Sequence, residues 1–415
     1  MSQKNINRPG YKHTEVGWIP NEWRYDLLGG AATVTTGGTP SRAVPEYWNG
    51  NIPWVTTSEI NFNTISETNE QITKKGLDNS SAKVFPPQTL LIAMFGQGVT
   101  RGRVALLNVP AAFNQACSAI LPINANFDNS FLFCYLSFRY EQIRNMGQTG
   151  TQSNLNASII KSIPIPLPPL TEQHKIAEIL STWDRAIDQT RRLLDTCKRR
   201  KQALMQKLLT GTWRFPEFGK PVMGMEFPLG WEAAPFSYIA NLRNERILPT
   251  KAPPYRCIEL EHIESETGFL LGWIDSQKQK SIKNRFFEGD VIFGKLRPYL
   301  KKFHQPDFDG VCTTEIWVFC AKRNICLPTF LYYLVQSDTF LEGTNISSGT
   351  KMPRAEWAIV SSIQLPLPTL PEQEKIASIL TAADDEITAL RKSLERLQRQ
   401  KRGLMQKLLT CEIRV

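Results

Sequence analysis

The chain has 415 residues, is 41% hydrophobic and 21% charged, and carries a net charge of +10 with a pI near 9.2. That length holds two or three domains with proper cores, and the composition excludes a disordered chain. No apolar run approaches the roughly 20 residues that cross a bilayer, so a membrane protein is not expected either.

The first eight residues lack the apolar segment of a secretion signal. Cysteines stand at Cys117, Cys134, Cys197, Cys257, Cys312, Cys320, Cys326 and Cys411, never as CxxC. This pattern favours reduced, buried thiols in a cytoplasmic protein over a disulfide frame or a zinc site. The basic balance admits a polyanionic partner without requiring one.

Residues 1–158 read as a first domain with α/β or α+β character and mixed sheets. The domain starts near Trp18 and Trp23, then carries short β-rich runs such as Thr89-Leu-Leu-Ile-Ala-Met-Phe95. The aromatic run Phe131-Leu-Phe-Cys-Tyr-Leu136 predicts a buried helix, and a polar loop from Gly147 to Leu155 follows. Arginine reads guanine bidentately, Asn and Gln read adenine, and lysine serves phosphates. On that chemistry the candidate DNA contacts here are Thr36, Gly37, Thr39, Arg42, Lys74, Lys75, Gln97, Thr100, Arg101 and Arg103. A solvated surface charge is the competing reading for each of them.

Residues 159–211 open with a proline-rich extended run, Ile163 to Pro169, because prolines at that density exclude helix. A helix of about 38 residues, roughly 55–60 Å long, is predicted to follow, with Thr171 as N-cap and Gly211 just past its end. Its apolar positions keep a heptad: Leu180, Ile187, Leu194, Lys201, Leu208 in one row and Ile176, Trp183, Thr190, Cys197, Leu204 in the other. From Arg191 to Lys207 there are seven basic residues and one acid, Asp195.

Residues 212–358 repeat the pattern of the first domain. Trp231 comes early, Asp290-Val-Ile-Phe293 reads as a strand, Phe330-Leu-Tyr-Tyr-Leu334 as a buried helix, and a polar loop runs from Ser347 to Arg354. The candidate DNA contacts are Arg243, Arg246, Lys283, Arg285, Lys295, Arg297, Tyr299, Lys301, Lys302, Lys351 and Arg354. The basic and aromatic cluster from Lys295 to Lys302 is the most pointed of these signals. Ala252-Pro-Pro-Tyr255 is similar to the Asn/Asp-Pro-Pro-Tyr box of amino-methyltransferases, but alanine stands where the amine acceptor belongs.

Residues 359–415 return the connector at a fixed offset of 200. Ile363-Gln-Leu-Pro-Leu-Pro-Thr-Leu-Pro-Glu-Gln373 echoes Ile163-Pro-Ile-Pro-Leu-Pro-Pro-Leu-Thr-Glu-Gln173, and Leu204-Met-Gln-Lys-Leu-Leu-Thr210 recurs unchanged as Leu404 to Thr410. Thr369 with Glu372 forms a predicted capping box. The heptad rows are Leu380, Ile387, Leu394, Lys401, Leu408 and Ile376, Ala383, Leu390, Leu397, Leu404. Arg391 to Lys407 again holds seven basic residues and one acid, Glu395. Gly403 interrupts this helix and predicts a frayed end.

Two such helices can pack separately on their own domains or pair with each other. Whole domains lie between them in sequence, so an antiparallel coiled coil with the domains at opposite ends of a rod is the sharper expectation. The basic distal halves read either as solvated faces or as contacts to DNA phosphates or an acidic partner. No phosphate loop, GxSxG or HExxH motif is present, so neither a catalytic site nor a cofactor is expected.

The repeated Pro-Leu-Pro-x-Leu-x-Glu-Gln-x-Lys-Ile-Ala-x-Ile-Leu blocks at 166–180 and 366–380 carry a family resemblance. So do Gly37-Gly-Thr-Pro-Ser41 with Tyr47-Trp48, Gly289-Asp-Val-Ile-Phe-Gly-Lys-Leu-Arg-Pro-Tyr-Leu300, and Gly349 to Arg354. With these motifs the chain resembles, over essentially its whole length, the specificity subunits of Type I DNA restriction–modification systems. The resemblance implies an α+β chain with two target-recognition domains joined by two long conserved helices as an antiparallel coiled coil. It further implies that each domain reads half of a split target in double-stranded DNA and that the helices fix the gap. Its implied partners are two methyltransferase subunits and, in the full complex, restriction/translocase subunits. A methylation-only system and a coiled-coil scaffold binding other proteins are the alternatives.

Overall fold

The computed structural model describes residues 8–96, 99–123, 127–146, 154–221, 228–348 and 352–415. The chain divides into two compact units. One comprises residues up to Thr190 together with Ser393–Val415, and the other comprises Arg191–Lys392. The first unit is therefore discontinuous in sequence and the second continuous, and each contains part of both long helices.

In the first unit the strand Arg24–Leu27 pairs antiparallel with Pro164–Leu167. The proline-rich run is thus a strand in a two-stranded ribbon, a setting that tolerates the missing N–H donors. A five-stranded sheet runs in the order Ala32–Thr36, Cys117–Pro122, Leu90–Ala93, Val104–Leu107, Asn63–Ile65. Only its last pair is parallel. A three-stranded sheet sets Trp48–Val55 between Ala112–Phe113 and Glu70–Ile72. The expected aromatic helix is Asn129–Phe138, capped by the Asp128 carboxylate and buried through Phe131, Leu132, Tyr135 and Leu136.

The second unit repeats the plan. The strand Glu232–Pro235 pairs antiparallel with Gln364–Leu367. A four-stranded sheet runs Ala240–Leu242, Ile316–Ala321, Val291–Gly294, Phe303–His304, and a five-stranded sheet runs Arg246–Ile247, Lys283–Phe286, Gly310–Thr313, Arg256–Ile258, Ile274–Asp275. In that second sheet Arg256–Ile258 pairs parallel with Gly310–Thr313, as Trp48–Val55 does with Ala112–Phe113. The second aromatic helix is Pro328–Leu334.

The long helices are Leu170–Thr210 and Leu370–Leu409, 41 and 40 residues. Their first turns differ from expectation. The first helix starts before Thr171, and the amides of Glu172 and Gln173 donate to the Pro169 carbonyl. The amides of Glu372 and Gln373 do reach the Thr369 carbonyl, but the Glu372 side chain does not turn back to complete a capping box. Both its oxygens accept bonds from outside the helix instead: Arg214 Nε at 2.8 Å, Arg214 Nη2 at 2.9 Å and Trp231 Nε1 at 2.9 Å. In the first unit Glu172 has the matching partners, Trp23 Nε1 at 2.9 Å and the Arg414 guanidinium at 3.0–3.2 Å. Arg214 and Arg414 stand 200 residues apart, so the repeat runs past the helix ends. Glu372 beside Arg214 raises the arginine's pKa, and Glu172 followed by Glu22 does the same for Arg414. The adjacent glutamines are equally placed. Gln173 accepts from the Asp128 amide and Gln373 from the Leu327 amide, each at the head of an aromatic helix.

Within each unit the two long helices run antiparallel. In the first unit Ile176, Ala177 and Leu180 share a core with Met405, Leu408 and Leu409. In the second, Ile376, Ala377 and Leu380 share one with Leu208 and Leu209. Ile187, Leu194 and Ile387 are buried, while Trp183, Leu204, Leu390, Leu394, Leu397 and Leu404 are half-buried.

Gly211 occupies the left-handed region at φ 72°, as a helix-terminating glycine should, and Cys411 takes that role in the second copy at φ 59°. A Cβ on Gly211 would lie 2.3 Å from Pro228 Cγ. Gly403 does not fray the second helix, which continues to Leu409 because Leu408 and Leu409 are buried in the first unit. A Cβ there meets nothing within 4 Å. Gly403→Ala is therefore expected to stabilise the chain by about 1 kcal/mol, read as a higher thermal midpoint. An unchanged or lower midpoint would show that the position is not a plain helical site.

Candidate nucleic-acid interface

In the first unit the glycines before Arg42 are structural. A Cβ on Gly37 would lie 2.0 Å from the Phe113 carbonyl, and the Gly38 carbonyl accepts from Trp54 Nε1 at 3.0 Å. This close packing turns the strand Ala32–Thr36 into a loop, with Thr36 exposed at its end. Thr39 is hydrogen-bonded to Gln115. Arg42 lies 3.7 Å from the centroid of Trp48 and binds the Glu70 carboxylate through both terminal nitrogens, which raises its pKa. Lys74 pairs with Asp78 one helical turn on, and Lys75 with Glu46. Arg101 is buried, Thr100 is half-buried, and Arg103 donates to Asn61 at 2.8 Å over the face of Phe62. Gln97 lies outside the described residues.

In the second unit Arg243 forms a fork on Asp290 at 2.8 and 3.0 Å, which raises its pKa, and stacks on Phe287. Arg285 covers the same Phe287 ring and pairs with Glu245 at 2.8 Å. Lys283 is buried against Glu259 at 2.6 Å. Lys302 donates to the Leu260 carbonyl at 2.6 Å, and burial lowers its pKa. Arg354 pairs with Glu315 at 2.9 Å. Lys351 lies outside the described residues. Arg246 is exposed on the edge strand Arg246–Ile247.

The turn 295–301 differs from these paired sites. Arg297 and Lys301 both adopt left-handed backbone, φ 53° and 49°, on either side of Pro298–Leu300. Such conformations cost energy for non-glycine residues and persist only where surroundings enforce them. Here the Lys295 amide donates to Glu315, the Arg297 amide to Pro353, and the Ala355 amide to Lys295. The result is a rigid turn that presents the exposed side chains of Arg297 and Tyr299, neither in an ion pair among the described residues. Arg256, absent from the sequence candidates, belongs with them. It is exposed and lies 5.2 and 4.7 Å from the ring centroids of Trp273 and Phe308. Its ring partners lie 17 and 52 residues on, so no local pattern marks it in the sequence.

Most of the basic loop residues are thus held by carboxylates or rings on neighbouring strands. The carboxylates fix these guanidinium planes but already occupy donor groups of each, so what they leave to an incoming acceptor is the remaining N–H groups and the faces of the aromatic rings beside them. Among the described residues no cluster of His, Cys, Asp and Glu is disposed to hold a metal ion. No helix among them is long and apolar enough to cross a membrane.

Comparison with known proteins bears on the whole chain. The family described as Type I restriction modification DNA specificity domain matches twice, at residues 20–199 and 231–399. The MjaVIII specificity subunit of Methanocaldococcus jannaschii is 23% identical over 96% of this chain and 94% of its own length. The EcoDI specificity subunit of Escherichia coli is 27% identical over 87% and 81%. In fold, the chain is similar to a Type I restriction–modification S subunit from M. genitalium. The TM-score is 0.60 at 15% identity, covering 94% of this chain and 97% of that one.

Proposed function

We propose, for a chain that belongs to the Type I restriction–modification DNA specificity family, that each unit reads one half of a split duplex target. The two long helices fix the gap between the halves. Two matches to one specificity domain, one in each half of the chain, carry this reading. Two readers joined in one molecule discriminate multiplicatively, since each mismatched pair costs about 1–3 kcal/mol. Thr36, Arg42 and Thr100 in the first unit, and Arg246, Arg256, Arg297 and Tyr299 in the second, are among the exposed or half-exposed candidates. Lys283 and Arg101 are buried and serve the readers from behind. Residues 1–158 and 212–358 are the target-recognition domains in this reading, and 159–211 and 359–415 the conserved connectors.

The chain itself carries out no reaction. Methyl transfer and cleavage belong to separate methyltransferase and restriction/translocase subunits, and two methyltransferase subunits dock on this one. Ala252 supports this, because the Pro-Pro-Tyr segment lacks its amine acceptor. A complex of this kind acts on chromosomal DNA in the cytoplasm.

Modified-base sequencing of the host genome with and without this gene tests the function. Loss of methyladenine at one split motif of fixed gap is expected. Unchanged methylation at every motif, with no salt-sensitive duplex binding by the reconstituted complex, overturns it. Arg297→Ala is expected to relax a single position of the second half-site, by about 1–3 kcal/mol. Uniform weakening with a shallower salt dependence would mark Arg297 as a phosphate contact instead.

A further inference from the structure

Each long helix carries one lysine in its apolar seam, and both lysines find the same kind of partner. Lys201 Nζ lies 2.6 Å from Asp384 Oδ1, with the lysine side chain 11% exposed. Lys401 pairs with Asp184, with the lysine side chain 18% exposed. The two pairs interchange under the 200-residue offset of the repeat. Asp384 is further held by the Tyr333 hydroxyl at 3.0 Å, and Lys201 by Gln336 at 3.4 Å.

A heptad stripe alone does not define a register, because a slip of seven residues returns apolar rows to apolar rows. The lysines remove that freedom. A one-heptad slip would set Lys201 against Ala377 in one direction and Arg391 in the other. The same slip would set Lys401 against Ala177 or Arg191. Either one-heptad slip thus sets a part-buried ammonium opposite an alanine or a like charge in place of its aspartate, and both are unfavourable in a low dielectric. Parallel pairing fails on the same ground, because it would bring Lys201 beside Lys401.

We propose that the pairs Lys201–Asp384 and Lys401–Asp184 are the register and direction lock of the two long helices. Resting on the reading above, in which the helices set the gap, they are specificity determinants that touch no DNA. A polar residue at a seam position is a well-attested way to specify coiled-coil register.

The test uses the full chain with a reporter cysteine, Glu386→Cys. The Cys197 thiol already faces the Glu386 carboxylate, so a disulfide at this point reports the native register. Two variants are compared in that background. One reverses both lysines, Lys201→Asp with Lys401→Asp. The other adds Asp384→Lys and Asp184→Lys, restoring each pair with inverted polarity. Disulfide yield is expected to fall about tenfold in the lysine reversal, where carboxylates face each other, and to recover in the fourfold exchange. Should the reversal simply not fold, recovery of folding and disulfide in the exchange supports the lock equally. An undiminished yield in the reversal, or no recovery in the exchange, overturns it. The gap of the methylated motif is read in parallel. A lost native register with an unchanged gap leaves the lock standing and removes the ruler.

Discussion

Glu372→Ala is expected to be among the most damaging single substitutions in the chain, with a loss of about 3–5 kcal/mol, the range seen when one partner of a buried ion pair is removed. It would strand the Arg214 guanidinium, whose side chain is 4% exposed, and leave Trp231 Nε1 without its acceptor. Glu172→Ala removes the same constellation from the first unit but is expected to cost less, about 1–3 kcal/mol, mainly for the unsatisfied Trp23 indole. The difference follows from Arg414, whose side chain is 43% exposed and has Glu22 as a second partner. Denaturant unfolding of the two variants checks both values. Equal losses would show that burial of the arginine does not set the cost.

Inserting one heptad into the first long helix after Thr190 is expected to abolish methylation at the native split target. Seven residues add about 10 Å of helix, roughly three base-pair steps of duplex. They also return the seam to nearly the same face, with a drift of about 20°. Only the length and the registration with the second helix change. The insertion separates Asp184 from Lys201 along the helix, so both salt bridges can no longer form at once. A matching heptad after Leu390 should restore pairing and yield methylation at a different gap. Methylation at the native gap in either variant would sink the ruler reading.

The connectors were legible in the sequence because their signals are local. Proline density at 163–169 gives a strand, heptad spacing gives the buried positions Ile176, Leu180, Leu208, Ile376, Leu380 and Leu408, and Gly211 marks an end. The aromatic runs at Phe131 and Phe330 gave buried helices for the same reason. Glu172 and Glu372 were not legible. A glutamate in the first turn fits a capping box, and its true partners lie 149 and 158 residues away. The signal was nonetheless present, since Arg214 and Arg414 keep the repeat's offset beyond the last helical turn. The basic loops were misleading in a different way. Sequence counts Arg42, Arg243, Arg285 and Arg354 as free charge, while their counter-ions Glu70, Asp290, Glu245 and Glu315 arrive from other strands.

The first unit is assembled from chain that is made before the second unit and chain that is made after it. Met405, Leu408, Leu409 and Cys411 belong to its core, and Arg414 to its buried carboxylate. A ribosome adding about 5–20 residues per second needs on the order of 10–40 s to traverse the second unit. Throughout that interval Ile176, Ala177 and Leu180 lack the helix that covers them. The domain translated first is therefore the one that closes last, and the nascent chain has a window in which another helix of the same pattern competes for the open groove.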